Sequence, residues 1–205
     1  MEIGSISEFL EKNVTLGDSV LIEYPSPYSI AQLLWGELVP EISQKEILID
    51  DFFGIGDLLF RGYLRKTPPE EYKKAMEVTK NLRAIRIGIG RTSYTSIAEE
   101  IPITYEVSEF MRNYYNALMK LFSVSTKVEY SITLGVSQYI YFGGEKALKA
   151  ILFTRSTLPF EDWTSIYFVN KDILDERQLA ILRELANWRL KIIKEGNAYK
   201  IEVED

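Results

Sequence analysis

Histidine and cysteine are both absent from this 205-residue chain. That excludes thiolate nucleophiles, disulfides, Cys/His zinc sites, Ser–His–Asp hydrolysis and every acid–base scheme that needs an imidazole. A cation held by carboxylates alone stays chemically open. Long apolar runs are missing too: residues 47–49 and 166–169 are typical of the longest. A bilayer span needs about 20 such residues, so no membrane partner is expected. The opening Met1-Glu2-Ile3-Gly4 starts on an acid, with no basic region leading into an apolar stretch. It does not read as a secretory signal, and the expected location is the cytoplasm. The missing cysteine fits a reducing cytosol or a thermophilic source. Positive charge is also short: 24 Lys and Arg against 30 Asp and Glu leave a net charge of −6. Nucleic-acid binding needs a basic footprint, and no Lys/Arg run supplies one, so no nucleic-acid partner is expected.

The 46% hydrophobic and 26% charged residues describe a globular chain, long enough for one substantial core. Repeats, low-complexity tracts and linkers are absent, so one α/β domain over residues 1–205 is expected. Ser5-Ile6-Ser7-Glu8 has capping-box spacing and predicts a helix to about Lys12. Ser19–Tyr24 (SVLIEY) reads as a strand covered on both faces. Ser26 then suits an N-cap and Pro27 a first helical position, for a buried helix over 28–39 that Pro40 stops. Further strands are predicted at 46–50, 82–89, 101–105, 128–134 and 165–169. Helices are predicted at 55–66, 67–80, 108–122 and 172–188, with one or two short ones between 136 and 155. A hairpin around Glu195-Gly196-Asn197 closes the chain. Strands alternating with helices imply right-handed βαβ units. The expected fold is therefore three-layered: a mainly parallel sheet flanked by helices, with a C-terminal antiparallel β-hairpin.

Ligands in such folds sit beyond the carboxyl ends of the strands. The first exit, Tyr24-Pro25-Ser26-Pro27-Tyr28-Ser29, stands where a phosphate-binding loop would be, but has neither glycine nor lysine, and its two prolines remove donors. A helix cap outweighs a small-anion site there. Asp50-Asp51 follow the next strand; acids so placed hold Mg²⁺ in NTPases, but without a phosphate loop solvated acids are the simpler reading. The stretch 88–96 (GIGRTSYTS) has the glycines, Arg91 and hydroxyls of an anion nest, and equally those of an ordinary turn, which outweighs it. Asn170 reads as a turn residue before an Asp172 cap. If the first two parallel strands are neighbours, Tyr24, Ser26, Tyr28, Ser29, Asp50 and Asp51 line one crevice, the expected place for any small ligand. No catalytic residue, metal site or cofactor is expected.

The order SVLIEY–PSPYS–helix, EILID–D, LRAIRIGIG, EYSITLG, SIYFVNKD and hairpin resembles the RecA/KaiC-type ATPase core stripped of its motifs, and is similar to a family of uncharacterised archaeal proteins. The resemblance runs from about Leu16 to the C-terminus and implies the P-loop NTPase fold class. It does not imply activity: residues 24–29 lack the phosphate-loop Gly and Lys, and Ile132-Thr133-Leu134-Gly135 lacks the magnesium-binding Asp. The chain is expected to be a non-catalytic binding or protein-interaction module on a degenerate NTPase fold. The alternative is a nucleotide- or anion-binding protein with an unconventional site.

One helix points to a partner. Over 108–122, Phe110, Tyr114, Leu118 and Leu121 form a core stripe, and Met111, Tyr115 and Met119 extend the apolar arc to about 180°, more than one sheet face needs. A second copy or a protein partner is one cover for that margin; a neighbouring helix of the same chain is the other and the more ordinary.

Overall fold

The computed structural model describes residues 2–124, 127–158, 162–196 and 198–204. In chain order the elements are β1 (Glu2–Ile3), α1 (Ile6–Asn13), β2 (Ser19–Tyr24), α2 (π-helical over Leu33–Leu38, closing in Val39–Glu41) and β3 (Ile47–Phe52). Then come α3 (Ile55–Leu64), α4 (Tyr72–Val78), β4 (Leu82–Ile87), β5 (Ser96–Ile101) and α5 (Val107–Val124). The chain ends with β6 (Tyr130–Leu134), α6 (Val136–Thr157), β7 (Thr164–Asn170), α7 (Glu176–Glu184), β8 (Trp188–Glu195) and β9 (Ala198–Glu204).

The nine strands form one sheet in the order β1-β9-β8-β2-β7-β6-β3-β4-β5. From β8 to β5 all neighbours are parallel; only β9, between β1 and β8, runs against the rest. This is the mainly parallel, helix-flanked sheet that the alternating pattern predicts. The central strands are apolar on both faces because both are covered. On one face Val20, Ile22, Ile49 and Ile132 pack with α1, α2 and α3. On the other Leu21, Leu48, Phe52 and Ile85 pack with α5, α6 and α7. Glu23 is buried in β2, where the Arg183 guanidinium of α7 holds both its carboxylate oxygens, at 2.6 and 2.8 Å.

Several boundaries differ from expectation. The helix after β2 starts near residue 31, and Ser26-Pro27 form a turn rather than a cap and first helical residue. Pro40 lies inside that helix, which widens to a π-turn just before it; the Val39 N–H reaches back to the Leu34 carbonyl. A wider turn relieves the clash between a proline ring and the carbonyl four residues earlier. The strand expected at 101–105 is β5, at Ser96–Ile101. As an edge strand it tolerates Glu99 and Glu100, which pair with Lys120 and Arg86, and Pro102 ends it. Helix α7 starts at Glu176, not 172: Asp175 and Gln178 make a reciprocal capping box. Trp188 belongs to β8, not to the helix before it. Between β6 and β7 the helical chain kinks at Gly144 (φ 58°, ψ −139°), so two helical segments run end to end.

Candidate functional site

The loop after β2 is tied to the exit of its neighbour β7. The Ser26 N–H donates to the Asp172 carboxylate at 2.7 Å and its hydroxyl to Asn170 Oδ1 at 3.2 Å. The Lys171 N–H donates to the Tyr24 carbonyl at 3.0 Å, and Asn170 Oδ1 accepts again from the Asp172 N–H at 3.1 Å. Asn170 is thus a strand-end clamp, and Asp172 caps this loop instead of α7. A backbone amide that a phosphate loop would offer to an anion is here occupied by the chain's own carboxylate. Tyr24 is buried, which pushes its hydroxyl up to about 12. Tyr28 leans on Tyr199 of the hairpin (ring centroids 4.7 Å apart), toward β9 and so away from β3, and Ser29 is exposed.

Asp50 and Asp51 are not at that exit, and they are not solvated. Strand β3 continues to Phe52, so both lie within it, at 4% and 0% exposure. Strands β7 and β6 stand between β2 and β3. At roughly 4.8 Å per strand the two exits are about 14 Å apart, so Tyr24, Ser26, Tyr28 and Ser29 share no crevice with Asp50 and Asp51.

The two acids serve opposite layers. Asp51 faces α3: the Gly56 N–H donates to Oδ1 at 2.8 Å and the buried Tyr94 hydroxyl to Oδ2 at 3.1 Å. A Cβ at Gly56 would lie 2.9 Å from that carboxylate, so glycine is what lets the first turn of α3 settle on it. Asp57, next on that helix, accepts from the Ser93 N–H (2.7 Å) and hydroxyl and from Arg61 Nε (2.8 Å). The stretch 88–96 is therefore a packed turn in which Ser93, Tyr94 and Thr95 bond to their own chain, rather than an open anion nest. Asp50 faces α5 and α6, where its Oδ2 accepts from Tyr114 (2.7 Å) and Ser131 (3.3 Å). Burial pushes each acid up to about 6, against these hydrogen bonds, which favour the ionised form.

Sequence reasoning did not foresee the groups gathered around Asp50: Tyr114 from α5, Thr133 from β6, Thr154 and Arg155 from α6, and Tyr167 from β7. They come from four elements, and only the strand order, which no local pattern encodes, brings them together. Among the described residues no group of three or more Asp or Glu is placed to hold a metal ion.

On α5, Phe110, Tyr114, Leu118 and Leu121 are buried as the stripe predicts. Met111 is half-buried, while Tyr115 and Met119 are 41% and 42% exposed. A neighbouring helix, the ordinary cover expected for that margin, does not bury these two. Met119, but not Tyr115, lines a groove of about 400 Å³ between α5 and β5, together with Glu99, Ile101, Pro102, Asn113 and Asn116. A second groove of about 430 Å³ continues it past the Glu99–Lys120 ion pair, at 3.1 Å, to Ala98, Leu121 and Ser123. Among the described residues no strand pairs with the outer side of β5. No helix of the described residues is long and apolar enough to cross a membrane.

Solved structures of the same fold come from archaea. A Pyrococcus horikoshii protein, PH0250, superposes with TM-score 0.74 at 20% identity, covering 98% of this chain and 91% of its own. The uncharacterised P. horikoshii protein PH0321, solved in complex with an unknown peptide, gives 0.61 at 14%, covering 97% and 88%. The KaiC-like P. horikoshii protein PH0186 gives 0.57 at 12%, covering 99% and 86%. The fold is RecA/KaiC-like. No curated protein matches the sequence. Over residues 8–204 it matches, and so belongs to, the family described as "Pyrococcus protein of unknown function, DUF257".

Proposed function

We propose that this chain is a non-catalytic protein-interaction module, which takes an extended segment of a partner protein against the open edge of its sheet beside α5. The observation that carries the non-catalytic half is the Asp172 carboxylate on the Ser26 amide. A nucleotide phosphate arriving there would meet a fixed negative charge, with no lysine in the loop to offset it. The partner half follows from the shape of the other surface. An unpaired strand edge offers main-chain hydrogen bonds to an extended peptide, the adjoining groove offers Met119, and Tyr115 is exposed one helical turn before it on α5, both side chains suited to adaptable contacts. PH0321, a protein of the same fold, was solved in complex with an unknown peptide, which lends the reading support by analogy of fold alone.

Two measurements test the reading. Thermal shift against ATP–Mg²⁺, GTP–Mg²⁺ and phosphate is expected to be flat, with no phosphate release from ATP; a ligand that binds only the native state would raise the melting temperature. A saturable shift with ATP would favour the nucleotide-binding alternative. A displayed random-peptide library, selected on the wild type, is expected to yield β-prone peptides that bind Tyr115→Glu/Met119→Lys at least tenfold more weakly. Peptides indifferent to that variant, or no enrichment at all, would overturn the docking surface; a wild-type dimer lost in the variant would assign it to a second copy.

A further inference from the structure

Beneath the sheet face that carries α5 and α6 lies a chamber of about 40 Å³, walled by Phe52, Phe110, Ile151 and Leu158. Asp50, Thr133, Thr154 and Arg155 line its polar side. Tyr114 and Ser131 engage one oxygen of Asp50, while Oδ1 is buried with no protein partner. The Thr154 hydroxyl, contributed by the segment of α6 beyond the Gly144 kink, is likewise buried and unpartnered. Arg155 does not reach either atom: its guanidinium donates to Ser165 Oγ (2.9 Å) and to the Gly17 carbonyl (3.2 Å), at the amino-terminal end of the sheet. Two buried polar atoms from residues lining one small chamber need a partner, because such groups are almost always satisfied in folded proteins.

We infer that this chamber is a built hydration site, in which a cluster of about three ordered waters bridges Asp50 Oδ1 to Thr154 Oγ1 and so fastens α6 to β3. The volume sets the number: one water needs about 10–15 Å³ measured this way. The lining sets the identity. An apolar void of this size stays dry and takes xenon, whereas a carboxylate and hydroxyls hold water against it. A divalent ion fits less well, since only one carboxylate faces the space and Ca²⁺ or Mg²⁺ takes six or more oxygens.

Two measurements test this. A crystal structure at about 1.5 Å is expected to show water within hydrogen-bond distance of both atoms, unchanged under xenon pressure. Xenon in the chamber, a bound organic molecule, or a collapsed chamber would each overturn the inference. Because the bridge links the two residues, Asp50→Asn and Thr154→Val should be non-additive, with a coupling of at least threefold in the unfolding equilibrium constant. Thr154→Val is a mild change of shape, so the cycle is measurable in folded protein. Additive effects would overturn the bridge even with water present.

Discussion

Asp50 and Asp51 are one peptide bond apart, and each is held by a different helical layer. Successive side chains of a strand point to opposite faces, so once β3 runs on to Phe52 the pair must split. The acidic pair is plain in the sequence, but its burial is not, because an apolar run ending in two acids looks like a strand that has stopped. Tyr94 and Tyr114, distant in the chain, make continuation tolerable by hydrogen-bonding the two carboxylates, with the Gly56 N–H and the Ser131 hydroxyl beside them. Both acids are raised to about 6, from roughly 4 in an unfolded chain. The folded state therefore binds more protons than the unfolded one between those values. Stability from these groups is full below about pH 4 and is lost as pH rises through about 6, on the order of 2–3 kcal/mol for each. Burial raises Tyr167 near Asp50 further above its alkaline range, and Asp57 near Asp51 is, against its burial, lowered by its hydrogen bonds from Ser93 and by Arg61, so neither titrates in that window. Urea midpoints at pH 4.5 and 7.5 should differ less in Asp50→Asn than in the wild type; equal differences would place the titration elsewhere. Glu23 is also buried and is satisfied otherwise. Arg183→Ala strips its only guanidinium partner, and is expected to cost about 3 kcal/mol by denaturant titration, as removing one partner of a buried ion pair does.

At the scale of elements, strands covered on both faces were legible to within two or three residues, because unbroken apolar runs such as SVLIEY have few other readings. Helix starts were less so. Ser26-Pro27 and Asp172 carry start signals that the fold spends on each other, since the Ser26 amide and the Asp172 carboxylate meet across neighbouring strand exits. The turn between β4 and β5 shows how closely two segments can be pressed together. Phe53 adopts a positive φ of 58°, and a Cβ placed on Gly90 would lie 2.7 Å from the Phe53 carbonyl and the Gly54 nitrogen. Backbone against backbone cannot give way as a flexible side chain can. Gly90→Ala, with φ at +147°, is therefore expected to cost roughly 2–4 kcal/mol, whereas the same change at Gly62, which nothing crowds, should cost nothing or stabilise α3 slightly. Thermal melts of the two variants distinguish them; equal effects would mean the turn is looser than drawn.

At the scale of the molecule, fold class was readable and strand order was not. Alternation of strands and helices dictates a parallel sheet with helices on both faces, but local pattern says nothing about which strand sits beside which. The crevice expected from residues 24–29 and the two acids depended on β2 and β3 being neighbours, and β7 and β6 come between them. The interaction margin on α5 fared differently because helical periodicity places Tyr115 and Met119 on its outer flank whatever the topology, and both are exposed.

The two ends of the sheet are unequal. One is β5, six residues long; the other is β1, whose two residues, Glu2 and Ile3, pair with Glu202 and Ile201 and close off part of β9. A body with a single sticky side can join one neighbour and then stop, whereas a body with two can grow without limit into a filament. If β5 docks a neighbour as proposed, β1, the shortest strand among the described residues, would act as a terminator of assembly. Deleting residues 2–4 should leave the main sheet intact and yet produce concentration-dependent, elongated particles in light scattering. Particles that stay the size of the wild type would mean that the acidic side chains along β9, Glu202 and Glu204, already keep that side closed.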